Sequence, residues 1–156
     1  MVQNYSSILV PVDGSEYSKR ALGEAIRLSK KLDAKIDLLM AVTTSAARPP
    51  GIAISGVVKG KGATRAIDEY VKKAFDEANH ILKESVKYCT DKGVDARYKV
   101  VTESPSKAII DYAKRNENDL IVMGSQGLRG IKKIKVLGSV SRHVLENSSC
   151  PVMVVH

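Results

Sequence analysis

The chain is poor in several residue types and motifs, and each shortage removes a class of function. It has two cysteines, Cys89 and Cys150, with no CxxC spacing and no histidine cluster beside them. Neither a disulfide framework nor a zinc site is therefore indicated, and both cysteines read as small buried apolar groups. No apolar run approaches the roughly 18 residues that a membrane span requires, and Met1 to Ser7 lacks the apolar stretch of a signal peptide. The expectation is a soluble, cytoplasmic protein. There is no Gly-x4-Gly-Lys-Ser/Thr loop, because Gly60-Lys61 is followed by glycine and the fifth residue before Gly60 is Ser55. A Ser-Gly-Gly-x-Asp-Ser pyrophosphatase loop and a His-x-Gly-His adenylyl-transfer motif are missing too. His80, His143 and His156 share no motif with a nucleophile or with each other, so none reads as catalytic.

What remains is 156 residues, 44% of them hydrophobic and 4% aromatic, which fits one domain able to close its own core. The formal net charge is +8, and it is unevenly placed. Residues 43–62 hold Arg48, Lys59 and Lys61 without an acid, and residues 124–142 hold Arg129, Lys132, Lys133, Lys135 and Arg142 without an acid. The rest of the chain is electroneutral. Lys132, Lys133 and Lys135 can neutralise phosphate or meet an acidic partner, or simply form a solvated face.

Periodicity divides the chain into alternating strands and helices. Ser6 to Val12 is a short apolar, β-branched run closed by Asp13-Gly14-Ser15, a strand followed by a helix cap. Ala21, Ala25, Leu28 and Leu32 then recur on one side of a helix, and Lys35 to Val42 is a second apolar strand. With a helix between them the two strands are expected to run parallel. Thr43 to Gly62, with four glycines and a Pro-Pro pair, reads as a long, mobile loop. Ile67, Val71, Ala74, Ala78, Ile81, Ser85 and Cys89 mark a helix from Ala63 to Lys92, with Gly93 as its left-handed stop. Val94 to Val101 alternates apolar and polar residues, the pattern of a half-exposed edge strand. Ser104-Pro105 opens a third helix, Asp119 to Met123 is a buried strand, Ser139 to Glu146 a short helix, and Pro151 to Val155 a fifth strand. Five strands separated by helices specify a doubly wound α/β layer fold. A phosphoacceptor receiver is disfavoured, since its acceptor aspartate would end the third strand, which ends here in Val100-Val101-Thr102.

In such a sheet ligands bind beyond the carboxyl ends of the strands, where strand order reverses. The segments leaving those ends include Asp13-Gly14-Ser15, the 43–62 loop and the stretch from Gly124 onward. Gly124-Ser125-Gln126-Gly127 followed by Gly138-Ser139-Val140-Ser141 suits an anion: glycine lets backbone approach closely, and a helix starting at Ser139 offers free N–H groups. The Ser139 and Ser141 hydroxyls can add donors. Turns and caps use the same residues, so spacing alone leaves both readings open. Asp13 can accept from an adenine amine or a ribose hydroxyl, or can serve only to shape the turn before Gly14.

Together these segments resemble the universal stress protein family, in its ATP-binding branch. The resemblance lies in ILVPVDGS at 8–15, IDLLMAV at 36–42, DLIVMGSQGLRG at 119–130, GSVSRHV at 138–144 and CPVMVV at 150–155. The family's signature is Gly-x2-Gly-x9-Gly-Ser/Thr; this chain has Gly124-x2-Gly127-x10-Gly138-Ser139, one residue longer, with the addition expected among Ile131 to Leu137. The resemblance implies one domain over 1–156 with strand order 3-2-1-4-5, of the adenine nucleotide alpha hydrolase-like kind. It implies ATP with magnesium as the bound group, with Pro11, Val12, Asp13 and Ala41 bordering adenine and ribose. Met123, Gly124 and Gly127 would support the ribose and first phosphate, and Gly138, Ser139, Val140 and Ser141 the remaining phosphates. It also implies a homodimer, and the apolar final strand would gain from pairing with its copy. The function expected is a nucleotide-dependent regulatory module of the stress response, at most a slow ATPase. The alternative is an interaction protein of the same fold with a vestigial site, for which the extra residue speaks. Duplex nucleic acid is a disfavoured partner.

Overall fold

The structure, a computed structural model, describes residues 5–43, 61–128 and 136–156, with 61–67 described as backbone alone. Its elements follow in the order β1 (Ser7–Pro11), α1 (Glu16–Leu32), β2 (Lys35–Ala41), α2 (Lys61–Asp91), β3 (Ala96–Val101), α3 (Pro105–Arg115), β4 (Leu120–Gly124), α4 (Ser139–Asn147) and β5 (Val152–Val155). All strands are parallel, in the order β3-β2-β1-β4-β5. The fold and strand order agree with expectation, and the element ends differ by one or two residues. Most of the 43–62 segment lies outside the described residues. No helix among the described residues is long and apolar enough to cross a membrane.

Alternation along β1 divides the core. Ile8 and Val10 join one cluster with Ala21, Leu22, Ala25 and Ile26 of α1 and Leu82 and Cys89 of α2. Leu9, between them, faces the other side and joins Ala108, Ile109 and Ala113 of α3 and Val144 of α4. Helices α1 and α2 therefore cover one face of the sheet, and α3 and α4 the other. The buried side of α1 is wider than the expected stripe: Leu22, Ile26, Ser18 and Ser29 are buried, whereas Leu28 and Leu32 are half-buried. The reason is that α1 lies across several strands, touching β1, β2, β4 and β5.

The two cysteines differ. Cys89 is buried on α2, and burial pushes its thiol up to about 11. Cys150 is only half-buried, beside the Ser148 hydroxyl.

Two features at the amino end of the sheet were not foreseen. Asp37, inside the apolar β2, is buried and is held by Nε and Nη2 of Arg97 on the neighbouring edge strand and by Asn118 Nδ2 at 2.9 Å. The paired carboxylate keeps the Arg97 guanidinium protonated more firmly than an isolated one. Asp119 Oδ2 accepts from the Ser6 N–H at 2.8 Å, the Ser6 hydroxyl at 2.8 Å and the Ser7 N–H at 3.0 Å, tying the start of β4 to the start of β1.

Candidate functional site

The site begins with a proline in the central strand. In a parallel sheet successive residues address opposite neighbours. Val12 donates its N–H to the Leu39 carbonyl of β2, so Pro11 is turned toward β4, where it has no N–H to give. Pairing of β1 with β2 continues to Pro11↔Leu39, while pairing with β4 stops at Leu9↔Ile121. β4 meanwhile stays with β5 as far as Gly124↔Val155. The sheet thus splits between β1 and β4 at the point where strand order reverses, the position at which doubly wound sheets bind ligands.

A cleft of about 870 Å³ opens there. Its lining includes Pro11, Val12, Asp13, Ala41, Met123, Gly124, Gly127, Gly138, Ser139, Val140 and Ser141, so every site residue expected from sequence is brought to one cavity. Residues that sequence reasoning missed also line it, among them Leu39, Thr43, Pro105, Ile109 and Gln126. Thr43 lies just beyond the end of β2, and Pro105 and Ile109 belong to the first turns of α3, a helix that the sequence motif does not contain.

Asp13 shapes the turn, as its sequence context allowed, and leaves one carboxylate oxygen open to the cleft. Its Oδ1 accepts from the Ser15 N–H at 2.9 Å and shapes the turn, which places the Ser15 hydroxyl to cap α1 at the Ser18 N–H. Its Oδ2 accepts no hydrogen bond among the described residues and points at Gly127. A Cβ on Gly127 would stand 2.7 Å from that oxygen. Gly124 answers to a different neighbour: a Cβ there would lie 2.7 Å from Tyr17 Cβ and 2.8 Å from the Tyr17 carbonyl carbon. The first glycine seats α1 against β4, and the second leaves room for a carboxylate.

Across the cleft, α4 presents its amino end. The first helical bond is from Arg142 N–H to the Gly138 carbonyl at 3.0 Å, so the N–H groups of Ser139, Val140 and Ser141 have no backbone partner among the described residues. Gly138 donates its own N–H to the Ser125 carbonyl at 2.8 Å. Despite the extra residue in the glycine motif, the start of α4 therefore still reaches the end of β4. The Ser141 hydroxyl, expected as a donor to ligand, is already shared between the carbonyls of Ser125 at 2.9 Å and Gly138 at 3.0 Å. Ser125 Oγ is buried and has no partner among the described residues.

The cationic side chains expected nearby, Lys59, Lys61, Lys132, Lys133 and Lys135, lie outside the residues whose side chains are described. Among the described residues no group of three or more carboxylate, histidine or cysteine side chains is placed to hold a metal ion. Asp13 is the one charged side chain lining the described cleft.

The fold is that of known proteins. The model of the Universal stress protein family matches residues 4–156. Universal stress protein MJ0531 of Methanocaldococcus jannaschii is 33% identical over 151 residues, covering 97% of this chain and 82% of the relative. The solved structure of MJ0577 from the same organism superposes with a TM-score of 0.81 at 27% identity, covering 97% of this chain and 96% of that one. A universal stress protein solved in complex with cAMP superposes with a TM-score of 0.69 at 25% identity, covering 98% of each chain. A family model that spans nearly the whole chain and a relative one-third identical lead to one assignment: it belongs to the universal stress protein family.

Proposed function

We propose that the cleft binds an adenine nucleotide, ATP with magnesium, and that the protein is a cytoplasmic, nucleotide-dependent regulatory module of the stress response. The observation that carries this reading is the meeting of the open Asp13 Oδ2 and the free N–H groups of α4 in one cleft at the split of the sheet. The cavity is of the size that takes small-molecule ligands, roughly 300 to 1,000 Å³. Pro11, Val12, Ala41 and Met123 offer apolar surface to a base, and Asp13 Oδ2 suits a ribose hydroxyl or an adenine amine. The Ser139, Val140 and Ser141 N–H groups, at the positive end of the α4 dipole, suit phosphate. The relative solved with cAMP supports an adenine nucleotide as the class of ligand.

Magnesium fits this cleft only as a guest of the phosphates. With Asp13 the one carboxylate in the described lining, phosphate oxygens and water would supply most of an octahedral shell. The reading assigns the protein binding and, at most, slow hydrolysis. It includes a homodimer paired through β5.

Calorimetric titration with ATP and magnesium tests it. The expected result is saturable heat and a rise in Tm of roughly 5 to 10 °C at a hundredfold excess over Kd. No heat and no shift at millimolar nucleotide would leave the alternative, a surface-acting protein with a vestigial cleft.

A further inference from the structure

β4 ends at Gly124 and α4 begins just after Gly138, and the dipeptide Ser125-Gln126 fastens the two together. Gln126 Nε2 donates to the Val136 carbonyl at 2.8 Å. The Ser125 carbonyl accepts the Gly138 N–H at 2.8 Å and the Ser141 hydroxyl at 2.9 Å. Ser125, Gln126 and Ser141 are all buried, so water competes little for these bonds. They hold the residues just before α4 and the third residue of α4 itself. Those peptides set where the free N–H groups of Ser139, Val140 and Ser141 point, and a hydrogen bond to phosphate weakens steeply once its angle falls below about 120°.

We infer that Gln126 and Ser141 are positioning residues, which hold the first turn of α4 at the angle that a phosphate chain needs and act through the backbone they fasten. The inference rests on the nucleotide reading of the cleft. It gives the Ser141 hydroxyl a different task from the phosphate contact implied by family resemblance, since its one hydrogen is already engaged by carbonyls.

The test compares adenosine with ATP and magnesium, titrated into the wild-type protein, Gln126→Met, Ser141→Ala and the double variant. Methionine keeps the length of glutamine and removes the donor. Each single variant is expected to weaken ATP about tenfold while changing adenosine less than about twofold. The double variant is expected to be about as weak as either single one, because both act on one element. Ser141→Thr, which keeps the hydroxyl, should restore the wild-type ratio of ATP to adenosine affinity. Losses that multiply to about a hundredfold would mean that Ser141 meets phosphate independently, and would overturn the inference. Equal losses for adenosine and ATP, or none for either, would also overturn it. If melting shows Ser141→Ala to be unfolded, the ATP-to-adenosine ratio of Gln126→Met decides alone. A wild-type protein that binds neither compound fails the nucleotide reading itself, whereas one that binds ATP and keeps its ratio in Gln126→Met fails only the positioning role.

Discussion

Gly124 and Gly127 sit three residues apart on one cleft, and replacing each by alanine asks a different question of the protein. At Gly124 the new methyl meets Tyr17 Cβ and backbone, which cannot yield without moving α1. Gly124→Ala is expected to cost about 1–3 kcal/mol, read from the urea midpoint. At Gly127 the methyl meets the Asp13 carboxylate, the end of a side chain that can turn away. Gly127→Ala is expected to leave the urea midpoint nearly unchanged and to weaken ATP about tenfold by calorimetry. Asp13→Asn separates the two tasks of Asp13, because an amide can keep the Oδ1 acceptor for Ser15 N–H while replacing the open oxygen with a donor. It should fold normally and lose about tenfold in nucleotide affinity. These residues were legible in the sequence as a set, since strand ends followed by Asp-Gly-Ser and by spaced glycines are local patterns. The reason for each glycine was not, because the neighbours, Tyr17 and Asp13, come from another part of the chain.

Among the elements, β2 shows why periodicity reads burial better than it reads chemistry. The run KIDLLMA is apolar enough to be placed in the sheet, and its aspartate passes as an interruption. In the fold that aspartate is 2% exposed and depends on Arg97 of β3, sixty residues away, and on Asn118 just before β4. Arg97→Ala would leave the carboxylate buried beside Asn118 alone. Because the arginine is itself largely exposed, the expected loss is only about 1–3 kcal/mol, again measured with urea. Asp119 makes a prediction in pH. The Ser6 N–H, followed by the Ser6 hydroxyl and the Ser7 N–H, holds its carboxyl below the usual carboxylate range against a weaker opposing effect of burial. A folded-state pKa lower than the unfolded one means stability that is present above about pH 4 and is lost as pH falls through the folded value. Urea midpoints followed from pH 7 down to pH 3 should therefore fall more steeply for the wild-type protein than for Asp119→Asn. The order and parallel direction of the elements were readable because each strand is separated from the next by a helix, while α3's contribution to the cleft was hidden by its distance from the glycine motif.

At the scale of the whole molecule, the edges of the sheet are unlike. β3 exposes Lys99 and much of Arg97, although the arginine also reaches Asp37, and such charges discourage pairing, whereas β5 is Val152, Met153, Val154 and Val155, all half-exposed. Light scattering at micromolar concentration is expected to give twice the 16.9 kDa chain mass, and a monomer would contradict the pairing. The split in the sheet reaches further still. Pro11 withholds a hydrogen from β4 by covalent structure, so the gap between β1 and β4 is not something a ligand must pry open or solvent must keep apart. Parting β1 from β4 therefore takes nothing from the energy of binding. The rate at which nucleotide arrives should therefore rise with its concentration without a plateau imposed by separation of these two strands.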